Sequence, residues 1–164
     1  MAVPYLACMA LVAHIYSLPP RVLPSIQAVE GGGPGVQHHN VNGSVDLGIM
    51  QINTMWLAAL SRYTRLDPAE VRSRLLYRPC FNIAAAGLIL RTYLDETGGE
   101  LMQAIGDYHS HTPLLNQGYQ AKVRRSAAAM FGGRPAPAAS REHSLASLRV
   151  DTASPRADTG AASR

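Results

Sequence analysis

Apolar residues recur at helical spacing through most of the first 131 residues of this 164-residue chain, and within them the spacing is lost at one place, residues 36–53. That interruption constrains the fold more than any other feature. It is polar, rich in turn formers and tolerant of β structure, and Asn42-Gly43 within it is a strong hairpin signal. The pattern predicts a mainly α fold of the α+β kind, a helical domain with one small β-hairpin at its side.

The helical text divides cleanly. Residues 5–16 are apolar and read as a first helix, ended by Leu18-Pro19-Pro20, which also starts the next because proline is tolerated in a first turn. Val22, Leu23, Ile26 and Val29 then repeat until Gly31-Gly32-Gly33-Pro34-Gly35 stops the helix abruptly. Periodicity resumes near Thr54 with Trp56, Leu57 and Leu60. Asp67-Pro68-Ala69-Glu70 has the form of an N-cap, a first-turn proline and an acidic third position, and opens a helix to about Tyr77. Residues 80–97 make the most clearly marked helix, with Ile83, Gly87, Leu90 and Leu94 on one face and Gly98-Gly99 closing it. A shorter helix covers residues 101–109, and Thr112-Pro113 caps a last one reaching Phe131. Beyond it the text turns to Pro, Ala, Ser and Arg with few large apolar residues. The expected organisation is one domain over residues 1–131 and a disordered tail over residues 132–164.

Composition agrees with one globular domain, at 47% apolar and 16% charged residues. Fifteen Lys and Arg face eleven Asp and Glu, and Lys122 is the sole lysine. So small an excess suits any acidic polymer or anionic surface and selects none. There is no basic run interleaved with aromatics, so no nucleic-acid partner is expected. No stretch approaches the ~18 apolar residues of a membrane span. The apolar start lacks the positive leader of a signal peptide, since the first arginine is Arg21, and Leu6-Ala7-Cys8 leaves no room ahead of it for an export segment. Export by another route, or a true start upstream of Met1, is the expectation. Cys8 and Cys80 are the only cysteines. In the cytosol they read as two buried thiols, and outside it as a bridge.

Glu30 is the first candidate for chemistry. It stands at the predicted C-terminus of a helix, where the macrodipole disfavours a negative charge. Partial desolvation would add to that and raise its pKa, as a general acid working near neutrality requires. On position alone it is one of eleven acids, any of which can lie harmlessly in water.

The following residues carry more. Asn42-Gly43-Ser44-Val45-Asp46-Leu47-Gly48-Ile49-Met50-Gln51-Ile52-Asn53 resembles the sheet-and-cleft segment of the lysozyme superfamily. Preceded by Val29-Glu30-Gly31-Gly32 and followed by Trp56-Leu57, it is similar to the small lytic transglycosylases of type IV secretion and conjugation systems. Cys80-Phe81-Asn82-Ile83-Ala84-Ala85-Ala86 matches that family's cysteine-containing helix start. Ile105-Gly106-Asp107-Tyr108-His109-Ser110-His111-Thr112-Pro113, with Asn116 and Tyr119, matches its late Tyr-His-Ser block. The blocks run in the family's order over roughly residues 8–125.

The resemblance implies a lysozyme-like fold and cleavage of the β-1,4 bond between N-acetylmuramic acid and N-acetylglucosamine without added water. One glutamate, here Glu30, protonates the leaving oxygen. It then acts as base toward the C6 hydroxyl, which closes on C1 to leave a 1,6-anhydro end. Gln51 falls in the cleft-lining motif and is the leading candidate for binding sugar, with Asn53 beside it. Tyr108 matches a tyrosine that faces the acid and can orient it by a hydrogen bond. Asp46 has three readings. The same stretch resembles c-type lysozymes, where this aspartate is the second catalytic carboxylate of a retaining hydrolase. In transglycosylases it shapes the cleft, and the plainest reading is a turn aspartate bonded to its own backbone. The resemblance also implies a Cys8–Cys80 bridge, a periplasmic or cell-envelope location, peptidoglycan as substrate, secretion or conjugation machinery as partners, and no cofactor.

His38 and His39 are adjacent, point apart on a strand and have no third ligand nearby, so no metal is expected. The glycines after Glu30 lack the Lys-Ser/Thr of a phosphate loop and read as clearance for a glycan. Arg124 and Arg125 read as a solvated helix face, and His109 as a cleft residue or a helix-end histidine.

Overall fold

A computed structural model describes residues 3–132. The predicted tail, 132–164, lies outside those residues apart from Gly132. Seven helices and a small sheet follow the expected order. Helix α1 (Leu6–Ile15) is succeeded by α2 (Val22–Glu30), which stops where Gly31 turns left-handed at φ 62° and donates its N–H to the Gln27 carbonyl. Three strands come next: β1 (Gln37–His39), β2 (Val45–Leu47) and β3 (Ile52–Asn53). Then come α3 (Leu57–Thr64), α4 (Pro68–Tyr77), α5 (Pro79–Glu96), α6 (Leu101–His109) and α7 (Pro113–Phe131). The architecture is the mainly α, α+β type that the sequence predicts.

The sheet is larger than one hairpin. Strands β1 and β2 pair antiparallel with His38 opposite Asp46, across a loop in which Gly43 takes φ 82° and donates its N–H to Asn40. Gly43 thus supplies the left-handed residue that follows a tight turn, which is why Asn42-Gly43 signals this hairpin. Strand β3 adds to the far side of β2, pairing Asn53 with Asp46. Between β2 and β3 the chain reverses through Gly48 and Gln51, both at positive φ.

Helix ends follow their capping chemistry. The Asp67 carboxylate accepts from the Ala69 N–H at 2.8 Å ahead of Pro68, the helix start read in the sequence. Thr112 makes no such side-chain cap before α7, where Pro113 alone marks the start.

Helix α5 runs through the core. Ile83, Leu90 and Ile105 are buried with Met9, Leu23 and Ile26, and α5 packs against α1, α4 and α6. Gly87 allows α1 to press close, because a Cβ there would strike Val12 and Tyr16. No helix among the described residues is long and apolar enough to cross a membrane. A Cys8–Cys80 disulfide joins α1 to the first turn of α5, with Cα atoms 5.5 Å apart. It closes a loop of sequence separation 72. In the chain-entropy account a loop of that size is worth about 4 kcal/mol. Cys80→Ser is therefore expected to lower unfolding stability by about that much in a denaturant titration. A midpoint equal to that of the oxidised wild type would refute it.

Candidate active site

Glu30 ends α2 at the head of a cleft of about 1040 Å³. The sheet forms one wall and the α6–α7 junction the other. Gln51, Asp46, Asn53 and Tyr108 all line the same cleft, so the structure brings together every site residue the sequence nominates.

Glu30 is partly buried, and its Oε1 accepts a 2.5 Å hydrogen bond from the Tyr119 hydroxyl. Its pKa is pushed up to about 7. Burial is the largest cause, and the negative charge of Asp46 adds to it. The Tyr119 hydrogen bond and the charge of Lys122 pull the other way and lose. A carboxyl so placed carries its proton near neutrality, as a general acid must. With Oε1 occupied by Tyr119, Oε2 is left to hold the transferable proton.

The tyrosine that orients Glu30 is therefore Tyr119, in place of the expected Tyr108. Tyr119 is 3% exposed on α7. Burial, and then the charge of Glu30, hold its phenol well above the ordinary range, so it remains a donor. His109 stacks flat on the Tyr119 ring, centroids 4.7 Å apart and planes 6° apart. Burial and the nearby Lys122 keep that imidazole below its usual pKa, hence neutral at pH 7. Tyr108 serves the cleft differently. Its hydroxyl donates to the Met50 carbonyl at 2.9 Å and ties α6 to the turn between β2 and β3.

That turn is held from four sides. Asn82, fully buried on α5, accepts from the Met50 N–H at 2.9 Å and donates to the Leu47 and Leu75 carbonyls at 2.7 and 2.8 Å. Gly48 has no room for a side chain, since a Cβ would run into the Leu75 carbonyl and Asn82. Tyr108 grips Met50 from α6. On the fourth side Gly32 abuts the turn, where a Cβ would strike the Gly48 carbonyl and come within 2.9 Å of Gln51 Nε2. The glycine run after Glu30 was expected to give clearance to a glycan. At Gly32 the room goes instead to the turn, which lets the acid and the turn sit side by side.

Gln51 sits at φ 49°, a left-handed conformation that costs a non-glycine residue roughly 1–2 kcal/mol. Its Nε2 donates to the Gly48 carbonyl at 2.7 Å. The second amide hydrogen and Oε1 remain available to a ligand. Asn53 is more fully engaged. Its Nδ2 donates to Ser44 Oγ and Asp46 Oδ1, and its Oδ1 accepts from the Met55 N–H. Both hydrogens and one lone pair are spent inside the protein, so Asn53 acts first as a brace for Asp46.

Asp46 is a strand residue in the middle of β2, not a turn aspartate. Its Oδ1 accepts from Asn53 at 2.7 Å and its Oδ2 from Asn40 at 3.0 Å. Two neutral amides fix its orientation. At the cleft lining, buried Asp107 accepts from Asn116 Nδ2 at 2.8 Å and from Gln103 at 3.1 Å, and Gln120 donates to Asn116 Oδ1 at 2.6 Å. This chain of amides locks α6 to α7 and so fixes the backbone that carries Tyr119.

Sequence reasoning missed Tyr119 as the partner of Glu30, Asn82 as the anchor of the turn and Lys122 as a cleft residue. Tyr119 shares one buried face of α7 with Asn116 and Val123, a spacing the sequence does display.

Residues 8–128 match the family described as the transglycosylase SLT domain. No curated protein matches the chain.

Proposed function

The chain belongs to the transglycosylase SLT domain family, and we propose that its cleft cuts the β-1,4 bond between N-acetylmuramic acid and N-acetylglucosamine, leaving 1,6-anhydro ends. The observation that carries this reading is Glu30, a carboxyl of pKa about 7 gripped by Tyr119 at the head of the cleft. In the first step the proton on Glu30 Oε2 passes to the glycosidic oxygen and the C1–O bond breaks. In the second, the C6 hydroxyl of the muramic acid bonds to C1 and returns its proton to Glu30. Atoms and charge balance with one carboxyl and no water. The Asp46 carboxylate, braced by two asparagines, faces the positive charge that develops at C1.

A second reading rests on a specific observation: Asp46 and Glu30 line one cleft. A retaining hydrolase would use Asp46 as nucleophile. Both Asp46 oxygens already accept hydrogen bonds from amides that are themselves braced, which suits a fixed charge better than a group that must approach C1. Muropeptides released from purified sacculi in ¹⁸O-water separate the two. The expected products are unlabelled anhydro ends, and Asp46→Asn is expected to lower kcat/KM by about tenfold or less, since it removes a through-space charge and no covalent step. Label at the new muramic acid ends together with an inactive Asp46→Asn would establish the hydrolase instead. Binding without any product would make the protein a peptidoglycan-docking component.

The proposed setting is the periplasm or cell envelope, with local wall opening for a secretion or conjugation apparatus as the task. Support for it comes from the similarity of the four sequence blocks to the transglycosylases of such systems.

A further inference from the structure

The two walls of the cleft differ in charge. The sheet wall offers amides and hydroxyls, among them Asn40, Asn42 and Ser44, which suit the hydroxyl and acetamido groups of a sugar, together with the Asp46 carboxylate. The opposite wall carries Lys122, on α7 one turn beyond Tyr119 and the only lysine of the chain. No arginine lines the cleft among the described residues, so Lys122 is its one permanently cationic side chain at neutral pH. No carboxylate lies within 4 Å of it among those residues. It follows Tyr119, whose hydroxyl holds Glu30, by one turn of the same helix and lines the same cleft, so it stands near the bond to be cut rather than at a remote end.

A lysine presents a compact, mobile point charge, which suits a carboxylate on a flexible arm better than a fixed planar partner. In peptidoglycan the ring on one side of the scissile bond has such an arm: muramic acid bears a lactyl ether at O3, ending in an acid or continuing into the stem peptide with its own carboxylates. We propose that Lys122 receives a carboxylate borne on that lactyl arm, so that the cleft distinguishes muramic acid from a neutral N-acetylglucosamine in the same position. The inference rests on the peptidoglycan reading above. It adds that the strand lies with its sugar faces toward the sheet and its lactyl arms over α7.

The test measures binding by the Glu30→Gln protein, which leaves strands uncut and removes the titration of Glu30. Three oligomers of equal length are compared: stem-bearing glycan, glycan stripped of stems by an amidase so that the lactyl acid is free, and neutral chito-oligosaccharide. With Lys122 present, one or both anionic strands bind more tightly than the neutral one. Which of them does so identifies the stem or the lactyl acid as the source of the carboxylate. Adding Lys122→Met is expected to shrink the anionic-to-neutral affinity ratio about threefold to fivefold, as for a solvent-exposed ion pair. Lys122→Glu is expected to shrink it about tenfold, and Lys122→Arg to leave it within about twofold. A ratio that Lys122→Glu leaves within twofold would overturn the proposal, including the case in which all three affinities fall together. Failure of the Glu30→Gln protein to bind any of the three would bring down the peptidoglycan reading itself, and this inference with it.

Discussion

Glu30→Gln is expected to reduce glycan cleavage by about 10²–10⁴-fold while leaving the fold and the binding of sacculi intact. The amide keeps the shape and still accepts the Tyr119 hydroxyl, but it has no proton to transfer. The same substitution has a stability signature that an inert surface glutamate would lack. Folding raises the Glu30 pKa from 4.5 to about 7, so the native protein binds this proton more tightly than the unfolded chain does. Stability linked to Glu30 is complete below about pH 4.5 and is lost as pH rises through about 7, a change of up to about 3 kcal/mol. Glutamine does not titrate. The variant is therefore expected to match wild type near pH 4 and to exceed it in stability near pH 8. Wild-type activity should also decline above about pH 7, as the acid loses its proton. Activity within a few-fold of wild type would remove Glu30 from the mechanism, and equal stability of the two proteins at pH 8 would mean that the carboxyl is not desolvated.

How much of this was legible in the sequence depends on the range of the interaction that decides each feature. Helix boundaries rest on neighbours within one turn, and Asp67-Pro68, Gly31 and Gly98-Gly99 mark them where they fall. The position of Glu30 was readable for the same reason, because a glutamate followed by glycines is a helix end whatever surrounds it. The partner of Glu30 was not. Tyr108 and Tyr119 lie on different helices, and only the packing of α2 against α7 determines that Tyr119 reaches the carboxyl while Tyr108 reaches Met50. Strand β3 was hidden because it has two residues and its preceding turn is built from a glycine and a left-handed glutamine, with no Asn-Gly or proline to announce it. A turn aspartate is the plainest sequence reading of Asp46 because its partners Asn40 and Asn53 are six and seven residues away, close only once three strands pair.

Asn82 is the extreme case of that hidden class, and its removal is expected to have the largest effect on stability. In sequence it is a polar residue on an otherwise apolar helix face, beside Ile83 and one turn before Ala86. In the structure it is fully buried and all its polar hydrogens are used, bridging α5 to the end of α4 and to the turn that carries Gln51. Asn82→Ala would strip the Met50 N–H and the Leu47 and Leu75 carbonyls of this partner at once. Each buried group left unsatisfied costs about 1–3 kcal/mol, so a loss of about 5 kcal/mol is expected, a large share of a domain's total stability. Asn82→Asp should be no milder. It retains an acceptor for Met50 but turns an ionised oxygen toward two carbonyls, and a buried charge without a partner is heavily penalised. Thermal unfolding of both variants measures the loss, and cleavage assayed well below the melting point separates it from the site's own requirement. Because Gly48 and Gln51 are seated through Asn82, activity should fall even where the protein remains folded. A stable, fully active Asn82→Ala would show that Tyr108 and Gly32 suffice to hold the turn, and that the buried asparagine is dispensable to the cleft.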